Sequence, residues 1–236
     1  MSNAYLISYR FFANSDHPLP VALQFDPETF RLIVPEDSPR PDWTRLSHRR
    51  CPNCPLDDRA AHCPSALGIA MFLPAFANRI SHEKAVIEVE TPVRTFVANT
   101  TFQTGMAALI GLVCATSGCP LTRFLRPMAR YHTPFADEKE TLARSFAIWL
   151  LGRYITRQQR GSDEALSLEG LKRQYAELSA MNLALSNRIR DSVNRDAALN
   201  AVVILDLFAQ IAPVNIDGDF EDIADLYVVE EDQTTY

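Results

Sequence analysis

Glycine is scarce in this chain, eight in 236 residues, which excludes long flexible linkers between independent units. Long apolar runs are also missing. The longest, Met106 to Ala115, is interrupted by Gly111 and is about half of the roughly 20 residues needed to span a bilayer. The N-terminus has no basic-then-apolar signal pattern, since residues 4 to 12 alternate like a strand, and we expect a soluble protein with no membrane partner. An even cysteine count is lacking too. Five cysteines without a signal pattern argue against a disulfide framework and for a reducing, cytoplasmic setting, where clustered thiols serve metals or catalysis. Basic residues are absent from residues 216 to 236, which carry eight acids. The first 215 residues are then left with 21 acids against 23 bases, so no strongly basic nucleic-acid footprint exists.

What is present is enough apolar material for a core, 47% of the chain, in an order that predicts an α+β fold. Tyr5–Phe12, Pro20–Phe25 and Thr29–Val34 read as short strands, the last two joined by a turn at Asp26-Pro27-Glu28. Ala85–Glu90 and Val93–Ala98 add two more, with a helix over Pro64–Ile80 between the groups. From about residue 101 the pattern is helical. Helices are expected over Phe102–Thr116 and Pro120–Arg130, then from Asp137 toward Gly161, where Asp137 and Glu140 have capping-box spacing. Another begins at Ser167 and carries Leu168, Leu171, Tyr175, Leu178, Leu185 and Ile189 at helical spacing. The last runs from about Asn194, buries Val203, Ile204, Leu207, Phe208 and Ile211, and closes at Pro213. We expect one cooperative unit over 1–236: a β-rich part over 1–100, a helical part over 101–215, and an acidic tail over 216–236. In the tail, Asp217, Asp219 and Glu221 alternate, but Asp222 and Val228 break the calcium-loop pattern, and Leu226 to Val229 reads as a short added strand.

The chemistry-bearing feature is a repetition: Cys51-Pro52, Cys54-Pro55, Cys63-Pro64 and Cys119-Pro120. Proline holds the preceding residue extended, so four thiols share one backbone environment, as a tetrahedral metal site or an iron-sulfur cluster requires. Cys51, Cys54 and Cys63 lie in one loop, and Cys119 is the expected fourth ligand. His62, His48 and His132 are weaker candidates, and Cys114 falls in the apolar run as a small core residue. Cys63 and Cys119 each precede a proline expected to open a helix, where free amide groups favour the thiolate. A bond from Cys119 to the 51–63 loop would join the β-rich and helical parts.

Cys51-Pro52-Asn53-Cys54 resembles a zinc-ribbon knuckle over those four residues, although Pro55 stands where a ribbon has glycine and the knuckle is not repeated. Cys-Pro also ends ferredoxin-type cluster motifs, whose compact spacing is missing here. Zinc and an iron-sulfur cluster therefore both stay open. The wider pattern is Cys51-Pro-Asn-Cys54-Pro-Leu56, Cys63-Pro64, Thr116-Ser-Gly-Cys119-Pro120 and Arg126-Pro-Met-Ala-Arg130-Tyr-His132-Thr-Pro134-Phe135. Over about residues 43 to 210 it resembles a group of uncharacterised bacterial proteins. That resemblance implies no activity.

Arg123, Arg126 and Arg130 share a helical face with His132 just beyond, as an anion site, a charge partner for a thiolate-bound metal, or a solvated surface. A nucleophilic cysteine with His132 as base is the enzymatic alternative, but four equivalent Cys-Pro units argue for equivalent roles. No phosphate loop, Rossmann fingerprint or nucleophile elbow appears. We expect a cytosolic metal-binding protein whose four-cysteine site is structural and whose work is done through a protein partner or self-association. An iron-sulfur protein for electron transfer or redox sensing comes second, and a thiol-dependent enzyme third.

Overall fold

The computed structural model describes residues 4–13, 17–161, 165–192, 197–218, 220–224 and 227. The fold is α+β, with an N-terminal four-stranded antiparallel sheet and a helical C-terminal part. Strands β1 (Tyr5–Phe12), β2 (Leu19–Phe25), β3 (Lys84–Thr91) and β4 (Arg94–Thr101) are ordered β2-β1-β3-β4. Period-two alternation sets the register. Ile7, Tyr9 and Phe11 of β1 share the buried face with Val21, Leu23 and Phe25 of β2 and Ala85, Ile87 and Val89 of β3. On the opposite face Arg10 pairs with Glu88 at 3.0 Å and Glu90 at 3.3 Å.

Helix α3 (Phe102–Thr116) lies against the buried face. Gly105 permits the close approach: a Cβ there would come within 2.2 Å of Ile87 Cδ1 and 2.6 Å of Phe11 Cε1. Before α3 come α1 (Pro64–Ala70) and α2 (Leu73–Phe76). After it come α4 (Arg126–Arg130), α5 (Glu138–Arg160), α6 (Glu169–Arg190) and α7 (Ala197–Asp217). The termini of α5 follow its sequence signals. Asp137 accepts the Glu140 amide at 2.8 Å, and Gly161 closes the helix in the left-handed region at φ 62.

Four expectations are corrected. Thr29–Val34 is not a strand. Asp26 Oδ1 accepts from the Glu28 and Thr29 amides at 3.2 and 2.7 Å, and Phe30 turns to φ 53 to stack on Phe25. Only a Phe25–Leu32 bridge remains, because the Leu32 amide goes to the Thr116 carbonyl at 3.0 Å. The helix expected over Pro64–Ile80 breaks into α1 and α2 ahead of Pro74, which lacks the amide needed to continue it. Pro120–Arg130 is a turn, a 3-10 segment (Arg123–Leu125) and the short α4, so Cys119 heads a turn instead of a helix.

The last correction concerns α7, which runs through Pro213 to Asp217 with a different inward face. Ala198, Ala201, Val202, Ala209 and Ala212 are buried, while Val203 and Leu207 are each 56% exposed. Small side chains let α7 approach α3 and α6 closely, so they win the interface over the larger ones. Among the described residues, Ala198–Asp217 is the one helix long and apolar enough to cross a membrane by length and composition. The tail expected over 216–236, including the strand at Leu226 to Val229, lies largely outside the described residues.

Candidate functional site

The Cys-Pro loop is built on a short antiparallel join. Arg45 and His62 form a bridge, the Leu46 amide donates to the Ala61 carbonyl at 3.0 Å, and the Cys63 amide donates to the Thr44 carbonyl at 2.8 Å. Residues 47–60 project from this base and are pinned to α6. His48 and Arg49 reach Asp191 at 2.9 and 3.1 Å, and Asn53 Nδ2 donates to the Glu177 carbonyl at 3.0 Å. Cys51 and Cys54 are half-buried in a turn whose Cys54 amide donates to the Cys51 carbonyl at 3.1 Å. Cys63 is the N-cap of α1 with Pro64 in its first turn, as expected.

Cys119 comes from the helical part and arrives beside this loop. Ser65, two residues past Cys63, and Ser117, two residues before Cys119, have their hydroxyls 3.0 Å apart. Gly118, at φ 92, lets the chain turn between Ser117 and Cys119. The Leu121 and Thr122 amides are aimed at the Cys119 thiol, yet burial outweighs them and its pKa is raised. Burial first, then the thiols of Cys63, Cys54 and Cys119, push Cys51 up to about 12. Cys114 is drawn into the same neighbourhood. Burial raises its pKa most, followed by Cys119 and Cys63, while Ser65 hydrogen-bonds to it. The five thiols thus collect at the seam between the two parts. Among the described residues, however, no group of three or more His, Cys, Asp or Glu side chains is disposed to hold a metal ion, so the four-cysteine centre expected at this junction is not shown.

The charges next to the thiols come from residues that the sequence did not single out. Arg188 of α6 is only 1% exposed. Its guanidinium donates to the carbonyls of Trp43 at 2.9 Å, Arg45 at 2.7 Å and Leu46 at 3.1 Å, and so holds the base of the loop. Its Nε has no partner, and among the described residues no carboxylate pairs with it. The same cation favours the Cys51 thiolate. Arg50 lies against Cys54 in the same way, while bonding to Asp58 at 2.7 Å and to the Leu56 carbonyl. A signal for Arg188 existed: it sits beside Ile189 at the end of the apolar stripe Leu171, Tyr175, Leu178 and Leu185, where a charged residue breaks the pattern.

The four residues expected as second partners are placed elsewhere. Arg130 lies over the rings of Tyr5 at 4.6 Å and Phe30 at 5.3 Å. Burial, then Arg31 and Arg123, lower the Arg126 pKa, so Arg31 of the N-terminal part joins Arg123 and Arg126 in a basic group. His132 is half-buried beside Tyr9, loss of water depresses its pKa to about 3, and the Tyr9 hydroxyl and the neutral His132 Nε2 share a hydrogen bond at 2.5 Å. His62 stands 2.9 Å from Thr44 Oγ1. A family profile described as a domain of unknown function, DUF6901, matches residues 7–228. The chain belongs to this DUF6901 family. No curated protein and no solved structure matches it. The family match spans both the sheet and the helices, so the thiol seam of this DUF6901 chain lies wholly inside the shared domain.

Proposed function

We propose that this DUF6901 chain is a cytosolic metal-binding protein in which Cys51, Cys54, Cys63 and Cys119 close on one structural zinc ion, leaving its outer surfaces to act through protein contacts. The observation that carries the reading is Arg188, a guanidinium buried against the loop with no carboxylate paired to it among the described residues. Three carbonyl oxygens accept from its terminal nitrogens but supply no full negative charge, and an unmatched buried charge costs several kcal/mol, about 3–5 when one partner of a pair is removed. Four thiolates on Zn²⁺ carry a net charge of about −2, which Arg188 beside Cys51 and Arg50 beside Cys54 offset. Four thiolates are the donor chemistry that zinc takes, with surrounding charge to match, once the side chains draw closer than the described arrangement places them.

Bound zinc would supply a cross-link between the 51–63 loop and the Cys119 turn; the chain's own residues do the rest. The α6 contacts from Asn53, Arg49 and Arg188 hold the loop in reach, and the Leu121 and Thr122 amides favour the thiolate at Cys119. For protein contacts, exposed apolar side chains are available on α5 (Leu151, Tyr154, Ile155) and α7 (Val203, Leu207, Val214). The test is elemental analysis of anaerobically purified wild type beside Cys119→Ser. One zinc per chain is expected in the wild type, with weaker or substoichiometric binding in the variant. Full stoichiometry and affinity in Cys119→Ser would remove Cys119 as a ligand, and broad visible absorbance with bound iron would replace zinc by an iron-sulfur cluster.

A further inference from the structure

Positive charge gathers where the loop after β2 meets α4. The 3-10 segment Arg123–Leu125 runs directly into α4, so Arg123, Arg126 and Arg130 fall three and four residues apart and crowd one side of it. Two contacts bring the 26–33 loop against this side. Arg130 lies over the ring of Phe30 at 5.3 Å, and the Leu32 amide donates to the Thr116 carbonyl at 3.0 Å. Arg31 stands between these two anchored residues and is exposed, next to Arg123, also exposed, and the half-buried Arg126.

These cations lack counter-charges. Among the described residues none of the four arginines forms an ion pair. Asp26 feels Arg31, yet its Oδ1 is committed to the Glu28 amide at 3.2 Å and to the Thr29 amide and hydroxyl, both at 2.7 Å. Arg130 is occupied by the rings of Tyr5 at 4.6 Å and Phe30. Like charges grouped in this way repel one another, and a bound anion would relieve the repulsion.

The donors define the chemistry of the occupant. A guanidinium has N–H groups in a planar fork, a fixed positive charge and no acceptor, which matches the oxygens of a phosphate and rejects cations. The extent of the group limits the size of the occupant. Its charges come from two short segments, the first 215 residues hold 21 acids against 23 bases, and no basic track continues for a polynucleotide backbone. We propose that Arg31, Arg123 and Arg126 form a binding site for a single phosphate group, carried by free phosphate or by a small phosphate monoester, with Arg130 at its edge. The site uses none of the thiols and stands apart from the metal reading.

The test is calorimetric titration of the full chain with inorganic phosphate and with glycerol 3-phosphate at constant ionic strength. Saturation at one site per chain is expected, and the tighter of the two identifies the source. Arg31→Gln and Arg126→Gln should each weaken binding by about 10–100-fold, the contribution of a charge-assisted hydrogen bond. Arg94→Gln, which removes the same charge from edge strand β4, should bind as the wild type does. In phosphate-free buffer Arg31→Gln should melt no lower than the wild type, since it removes a repulsion, and phosphate should raise the melting temperature of the wild type but not of this variant. No saturable binding of either compound, wild-type affinity in both site variants, an equal loss in Arg94→Gln, or a lower melting temperature of Arg31→Gln without phosphate would each overturn the assignment. Affinity for oligothymidylate that grows with its length would replace it with a nucleic-acid surface.

Discussion

Arg188 shows how one side chain ties the loop to the helices. Its three carbonyl partners at Trp43, Arg45 and Leu46 are backbone groups of a segment with little regular structure of its own; the Arg45 carbonyl also accepts the His48 amide at 3.1 Å, while those of Trp43 and Leu46 take their bonds from the guanidinium. Arg188→Met should therefore destabilise the chain by about 3 kcal/mol or more in urea denaturation, despite removing a buried charge. It should also weaken zinc binding by about 10–100-fold, as loss of an outer partner does at metal sites. Unchanged metal affinity in a folded Arg188→Met protein would break the link between this residue and the thiols. His132 gives a second test at the same scale. Its pKa is depressed by burial to about 3, so the neutral form is favoured on folding. Its contribution is present above the unfolded histidine pKa and lost as pH falls from about 6.5 toward 3. His132→Gln, which keeps an acceptor for Tyr9, should flatten the fall in stability over that window.

Among the elements, α5 and β1 were legible in full. Both are specified by interactions within a few residues: alternation in one, and in the other a cap at Asp137 with a left-handed glycine at 161. Asp137→Ala should cost about 1 kcal/mol, the usual loss of an N-cap, with no change elsewhere. Gly105→Ala should cost more, about 1–3 kcal/mol, because the added methyl collides with Ile87 and Phe11 at the helix–sheet contact. Thermal or urea unfolding of the two variants side by side gives the comparison. The helix expected from Pro120 was misread, since Cys-Pro marks the start of α1 at Cys63 but only a turn at Cys119. The same dipeptide can open a helix or a turn. At Cys119 the turn is selected by the Thr122 hydroxyl, which bonds back to the Cys114 carbonyl at 2.6 Å and holds this segment onto α3.

At the scale of the whole molecule, the thiol seam predicts opposite pH responses with and without zinc. In the metal-free chain the Cys51 pKa is raised to about 12 from an ordinary value of 9.0, so folding favours the thiol form. That stability is fully present below the unfolded thiol pKa and is lost as pH rises through about 12. The loaded chain needs thiolates and should instead lose stability as acid protonates them. Urea midpoints across pH for the two forms should thus slope in opposite directions; parallel slopes would sink the metal reading.

The sequence by itself determined the α+β class, most strand and helix spans, and the common Cys-Pro environment of four thiols, because these rest on sterics and hydrogen bonds between near neighbours. Only the tertiary structure decided that Cys114 joins those thiols, that Arg188 and Arg50 stand beside them, and that α7 turns its alanines inward. Each of these is a contact between elements far apart in the chain. Its partner is chosen by how closely helices and sheet can pack, which no local pattern records.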